Sequence, residues 1–221
     1  YLLETNEGGV MPPYGSTQLS FEEMEIIRQW ILKGSPMNGN VVNTQIISNY
    51  YSGMGMEKME RPTPPNANEG FQMRFGPVIL NPNTEIEYRL LQKLNLPNDI
   101  EVNRLDLDMN DESHHFILYE NDNPQDEGLR EVTSLLDIGS GKFLQGWQDD
   151  FNITLPEGTA FKWRKDIELD LNYHVRNYSS DSILFAEAYV NVYTQPLGTA
   201  EKTMYATLNT YNPFLLNIPA N

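Results

Sequence analysis

Ile167-Glu168-Leu169-Asp170-Leu171-Asn172-Tyr173-His174 is the stretch that decides the fold. Apolar and polar residues alternate in it without a slip. Ile167, Leu169, Leu171 and Tyr173 therefore share one face of a strand, and Glu168, Asp170, Asn172 and His174 share the other. A strand with one apolar face needs a second layer to cover it. The same signal recurs on both sides. Phe71 to Leu80 runs into a turn at Asn81-Pro82-Asn83, and Glu85 to Leu94, Ile100 to Met109, Ser113 to Glu120, Ala160 to Trp163 and Ile183 to Thr194 follow. Residues 129–147 read as irregular. The pattern predicts a mainly β chain, an antiparallel jelly-roll-like β-sandwich preceded by a short N-terminal helical segment.

One run departs from simple alternation. Ile100 and Val102 hold one parity, while Leu105, Leu107 and Met109 hold the other. The slip predicts a bulge near Asn103-Arg104, where the backbone re-aims a side chain.

The helical segment lies at the start. Ser20 is a natural N-cap with Glu23 three residues on, a capping box, and Leu19 and Met24 fit a hydrophobic staple. Phe21, Met24, Ile27 and Ile31 repeat at helical spacing until Gly34 and Pro36 end the helix. Such a helix is too short to persist alone and must pack on something. Residues 37–69 read as a linker, ending in the polyproline-like Arg61-Pro62-Thr63-Pro64-Pro65. Within it, Met54, Met56 and Met59 read as cover for apolar surface in preference to a soft-metal patch. The sandwich spans 70–197. The tail, 198–221, is too apolar around Tyr211-Asn212-Pro213-Phe214-Leu215-Leu216 to hang free and is expected to pack.

Composition narrows the function classes. The net charge is −16, from 15 basic and 31 acidic residues, so phosphate backbones and anionic membranes are repelled. No run of about 18 apolar residues provides a membrane span. The absence of cysteine excludes disulfides, thiolate metal sites and covalent haem attachment within the chain. The chain opens on Tyr1 instead of Met, as a mature product whose signal has been removed would.

The chemistry gathers at histidine. The chain has three histidines: His114 and His115 open an apolar strand, and His174 closes a later one on its polar face. Imidazoles inside a sheet are costly unless their nitrogens are claimed, either by separate hydrogen bonds or by one metal ion. Three imidazoles without thiolate suit copper or zinc, and could suit iron or nickel. Neighbours on a regular strand point to opposite faces, so His114 and His115 share an ion only where the backbone departs from the regular pleat.

Ser113-His114-His115-Phe116-Ile117-Leu118-Tyr119, Gly146-Trp147, Leu155-Pro156-Glu157-Gly158-Thr159-Ala160-Phe161 and Leu169-Asp170-Leu171-Asn172-Tyr173-His174-Val175 together resemble the N-terminal domain of the copper type II, ascorbate-dependent monooxygenases. The resemblance covers roughly 70–197. It implies that His114, His115 and His174 hold one copper ion per chain, the electron-transfer copper of that family. This chain differs in having Val175 where the family usually has Tyr. It also lacks any later histidine from which the family's second, oxygen-activating copper site would be built.

A second resemblance concerns residues 1–36. Met11-Pro12-Pro13-Tyr14-Gly15 and the helix ending Trp30-Ile31-Leu32-Lys33-Gly34 are similar to the C-terminal end of a small c-type cytochrome domain. That likeness makes Met11 a haem axial ligand only if a haem-bearing part precedes Tyr1, because no Cys-x-x-Cys-His occurs here.

Two functions follow as expectations. One is a mononuclear copper, electron-transfer domain of a monooxygenase-like protein, not catalytically complete on its own and paired with further domains or a protein partner. The other is a non-catalytic β-sandwich subunit of an envelope or extracellular assembly with a retained or vestigial metal site. Both place the protein in a secreted, periplasmic or cell-surface setting. Glycosidase carboxylate pairs such as Asp106 with Asp108, a Ser113/His114 nucleophile and phosphate loops find no support in the spacing.

Overall fold

The computed structural model describes residues 19–52, 59–121, 128–132, 141–148, 151–180 and 183–206. Two helices come first, α1 (Phe21–Leu32) and α2 (Thr44–Tyr51). The capping box on α1 is formed: the Ser20 hydroxyl accepts from Glu23 N–H at 3.1 Å, and Ser20 N–H donates to the Glu23 carboxylate at 2.8 Å. The helix ends where Gly34 takes a left-handed φ of 83° and Ser35 N–H returns to the Trp30 carbonyl.

Eleven strands follow among the described residues. They are β1 (Gly70–Leu80), β2 (Thr84–Lys93), β3 (Ile100–Met109), β4 (Ser113–Glu120), β5 (Gly128–Glu131), β6 (Lys142–Trp147), β7 (Phe151–Thr154), β8 (Thr159–Trp163), β9 (Glu168–Asn177), β10 (Leu184–Gln195) and β11 (Lys202–Thr203). One sheet has the order β1-β10-β3-β8-β11, with β7 also paired to β3; the other has the order β5-β2-β9-β4-β6. Every pairing is antiparallel except that of β11 with β8. The chain is thus the mainly β, antiparallel, jelly-roll-like sandwich that the alternation predicts.

The core lies between the sheets. Leu169, Leu171, Tyr173 and Val175 of β9 face Phe75, Val78 and Leu80 of β1 and the alanines and valines of β10. Phe75 joins the layers through its ring, 5.0 Å from Tyr173 and 6.3 Å from Phe116 between centroids. Full burial of each such side chain contributes about 1.5–3 kcal/mol. The register shift between Phe75 and Val78 in the β1–β10 pairing requires Gly76, whose φ is 85° and where a Cβ would sit 2.4 Å from the Ala186 carbonyl oxygen.

The slip in β3 is a bulge at the predicted place. Tyr193 pairs with Arg104 and Thr194 with Val102, leaving Asn103 as the extra residue. It lies in the sheet that does not carry the histidines, so it does not re-aim them.

Two sequence expectations need revision. The 37–69 segment contains α2, capped by the Asn43 side chain on Ile46 N–H, with Ile47 and Tyr50 buried. Its later part is docked: Gln72 donates to the Pro62 carbonyl at 3.0 Å, and Asn191 donates to that of Thr63 at 3.0 Å. The region read as irregular, 129–147, contains most of β5 and all of β6. The tail packs as far as it is described, through β11 and through Met204 and Ala206 against the core. Met11, Met54, Met56 and the Tyr211–Leu216 run lie outside the described residues.

Helix α2 sits on the outer face of β10, and α1 reaches β1, where Gln29 donates to the Pro77 carbonyl at 2.6 Å. Tyr50 stacks on Phe185 at 4.4 Å and donates its hydroxyl to Glu187 at 2.7 Å. Glu187 is 1% exposed, and it also takes Arg74 (2.8 Å) and the Tyr189 hydroxyl (2.9 Å). This satisfied carboxylate ties the helical segment to the sandwich. No helix among the described residues is long and apolar enough to cross a membrane.

Candidate metal centre

The geometry of the three histidines is set by a second bulge. In the β4–β9 ladder Ser113 pairs with Val175 and His115 pairs with His174, so His114 is an extra residue on β4. A bulge places two consecutive residues opposite one on the partner strand and turns both toward the same side. The obstacle posed by adjacent positions on a regular strand is thereby removed. The ring centroids of His114, His115 and His174 stand 4.8–5.4 Å apart.

One candidate ligand nitrogen from each ring lies within 4.8 Å of the others. The Nδ1 atoms of His114 and His174 are 3.0 Å apart. Two nitrogens each about 2.0–2.1 Å from one ion, at roughly 90–110°, stand about 2.9–3.4 Å apart. This pair already has the spacing of two ligands on a single ion, and the third ring is close enough to complete the set. An all-imidazole donor set suits copper or zinc.

The other face of β9 holds the site rigid. Tyr173, fully buried, donates its hydroxyl to the Glu187 carbonyl at 3.1 Å and shares a short hydrogen bond with Ser113. These residues immediately precede His174 and His114, so the backbone under both ligands is fixed by the core. Burial and the carboxylate of Glu187 push the Tyr173 hydroxyl pKa upward, and the ring stays neutral.

The outward face of the sheet is polar yet covered. Below His174 on the same face, Asn172 donates to Glu87 (2.8 Å), Asp170 is clasped by Arg89, and Glu168 accepts from Asn121 (2.7 Å). Register places Glu87 of β2 directly opposite His174. His174 Nε2 lies 3.0 Å from Glu85, and His115 Nε2 lies 3.8 Å from Glu87. The His115 pKa is lowered, first by burial and next by the His174 imidazole, which favours the neutral ring with one nitrogen lone pair available to an ion.

The structure therefore brings together all three sequence-predicted ligands. Of the acidic residues considered, Asp106 is engaged with Arg104. Sequence reasoning did not single out Glu85 and Glu87. Their alternation with Ile86 and Tyr88 marks them as outward-facing, but only the β2–β9 register puts them beside the histidines. A groove of about 730 Å³, lined by Asn103, Arg104, Glu157 and Tyr193, lies at the opposite end of the sandwich. Asn177, three residues beyond His174, bonds to the Leu80 carbonyl, and Leu80 pairs with Leu184 at the start of β10; Tyr193 is near the other end of that strand. No protein-family model matches the sequence, and no curated protein matches it.

Proposed function

We propose that this chain is a mononuclear copper-binding, electron-transfer domain of a monooxygenase-like protein, with one copper held by His114, His115 and His174. The observation that carries the reading is the convergence of the three imidazoles at a bulge on a core-anchored sheet, with two Nδ1 atoms 3.0 Å apart. Copper bound there would cycle between Cu(I) and Cu(II), and so take up and hand on one electron.

The chain's own residues supply the ligands and a stiff support. His114 is exposed and leaves the site open to a donor or acceptor, while Tyr173 and Ser113 limit the movement of the backbone beneath it. A stiff ligand frame suits electron transfer, because little has to rearrange when the charge changes. The chain has no further histidine, so oxygen chemistry of the kind implied by the resemblance would use another domain or a partner. The location that fits this role is secreted, periplasmic or cell-surface.

A second reading, a non-catalytic subunit of an extracellular or envelope assembly, draws support from Trp30, Ile31 and Met37. These are 40%, 54% and 97% exposed on the N-terminal segment and offer apolar surface to a protein neighbour.

Metal analysis after dialysis against Cu(I) or Cu(II) separates the two. About one copper per chain, lost in His174→Ala, supports electron transfer. A chain that retains none in either state is the structural subunit.

A further inference from the structure

A metal-bound imidazole is oriented and tuned by whatever accepts its second ring N–H. His174 has a carboxylate within hydrogen-bond distance: its Nε2 is 3.0 Å from Glu85 Oε1. Its Nδ1 faces His114 Nδ1 at 3.0 Å. With the Nε2 proton given to Glu85, the lone pair of His174 is left on Nδ1, the atom that points into the cluster.

We infer that Glu85 is a positioning residue for His174: it fixes the Nε2–H tautomer, aims Nδ1 at the ion and makes that nitrogen a stronger donor. The inference rests on the copper reading above. A stronger donor favours the more highly charged ion, so the site discriminates in favour of Cu(II) over Cu(I) and its reduction potential is held down.

Glu87 is the natural comparison. It stands opposite His174 in the ladder, but its carboxylate is 3.8 Å from His115 Nε2, beyond hydrogen-bond length, and is engaged by Asn172 at 2.8 Å. Glu85 has nearly half its side chain in water, which screens its effect. Carboxylate partners of metal-bound histidines are worth about 10–100-fold in affinity, and the exposure of Glu85 places it at the lower end. The expected effect of Glu85→Gln is a loss of about tenfold in Cu(II) affinity, with Cu(I) affinity little changed. For a one-electron couple that selectivity is a rise of about 59 mV in potential.

The test uses the full chain in four forms: wild type, Glu85→Gln, Glu85→Ala and Glu87→Gln. Competition titrations with Cu(I) and Cu(II) chelators and spectroelectrochemistry read the affinities and the potential, and circular dichroism checks that each variant folds. A selective Cu(II) loss with a raised potential in Glu85→Gln, and a smaller change in Glu87→Gln, is the result expected. Equal potentials in wild type and Glu85→Gln overturn the inference, as does parallel loss of Cu(I) and Cu(II), which would mark a purely structural role without preference for either oxidation state. Two-bond proton–nitrogen NMR of the metal-free protein supplies a readout that survives even if no copper binds. The Nε2–H tautomer of His174 in wild type, lost in Glu85→Ala, supports the positioning role. An Nδ1–H tautomer in wild type overturns it, whatever the fate of the copper reading.

Discussion

Deleting His114 separates the bulge from the fold that carries it. Ser113 and His115 pair with Val175 and His174, which are neighbours on β9, so removing His114 leaves a regular ladder with every backbone pairing retained. Phe116, Leu118 and Tyr119 keep their places, because the register from His115 onward is unchanged. One ligand is lost and the other two remain cross-strand partners. The consequence can be worked through linkage. Copper at about 100 times its Kd stabilises the wild-type fold by about 2.7 kcal/mol. For a domain of this size that is a rise in Tm of about 5–11 °C. If losing a third of the ligand set weakens binding about 100-fold, the same copper concentration stabilises the variant by only about 0.4 kcal/mol, or about 1 °C. Thermal unfolding with and without copper, followed by circular dichroism, reads both numbers. His114→Ala, which keeps the extra residue, should lose the copper shift to the same degree. A deletion variant that retains the full wild-type shift, or that no longer folds, refutes the view of the bulge as a ligand-placing device on an otherwise regular ladder.

Three further outcomes follow from the packing and the hydrogen bonds. Glu187→Ala removes the carboxylate that the Arg74 guanidinium and the Tyr50 and Tyr189 hydroxyls engage, and should cost about 3 kcal/mol by urea denaturation while exposing the 37–69 segment to limited proteolysis. Phe75→Ala removes the ring that touches Tyr173, Phe116 and Tyr88 between the two sheets, and should cost about 3–5 kcal/mol in the same assay. Glu101 is held below its ordinary pKa of 4.5, first by the Ala200 N–H, then by the Gln195 side chain and the Gly198 N–H. A carboxyl depressed in the folded state stabilises it above the unfolded value and loses that contribution as pH falls through the lower folded value. The stability gap between wild type and Glu101→Gln should therefore be full above about pH 4.5 and close on further acidification.

The sandwich was legible because its signal is local. The alternation from Ile167 to Tyr173 required an apolar layer on one side, and the parity slip after Val102 located the bulge to the Asn103-Arg104 pair, of which Asn103 is the extra residue. Ser20 and Glu23 fixed the start of α1 in the same way. Helix α2 was hidden by the Asn and Gly residues around it, although Asn43 as a cap and Ile47 with Tyr50 at helical spacing were the signals for it. Strands β5 and β6 are short, four and six residues, and carry too few positions for alternation to stand out. The histidines were identifiable as a set by rarity and chemistry. Their convergence was not, because the bulge at His114 exists only as a mismatch between β4 and β9, which are 59 residues or so apart. Glu85 and Glu87 depend likewise on a register that no local pattern encodes.

The central claim, one copper on three imidazoles, is tested most directly by electron paramagnetic resonance of the Cu(II)-loaded protein. The expected result is a single type II signal at about one copper per chain, with coupling to imidazole nitrogens that diminishes in His174→Ala. A signal without nitrogen coupling, or one that is the same in wild type and His174→Ala, would contradict it.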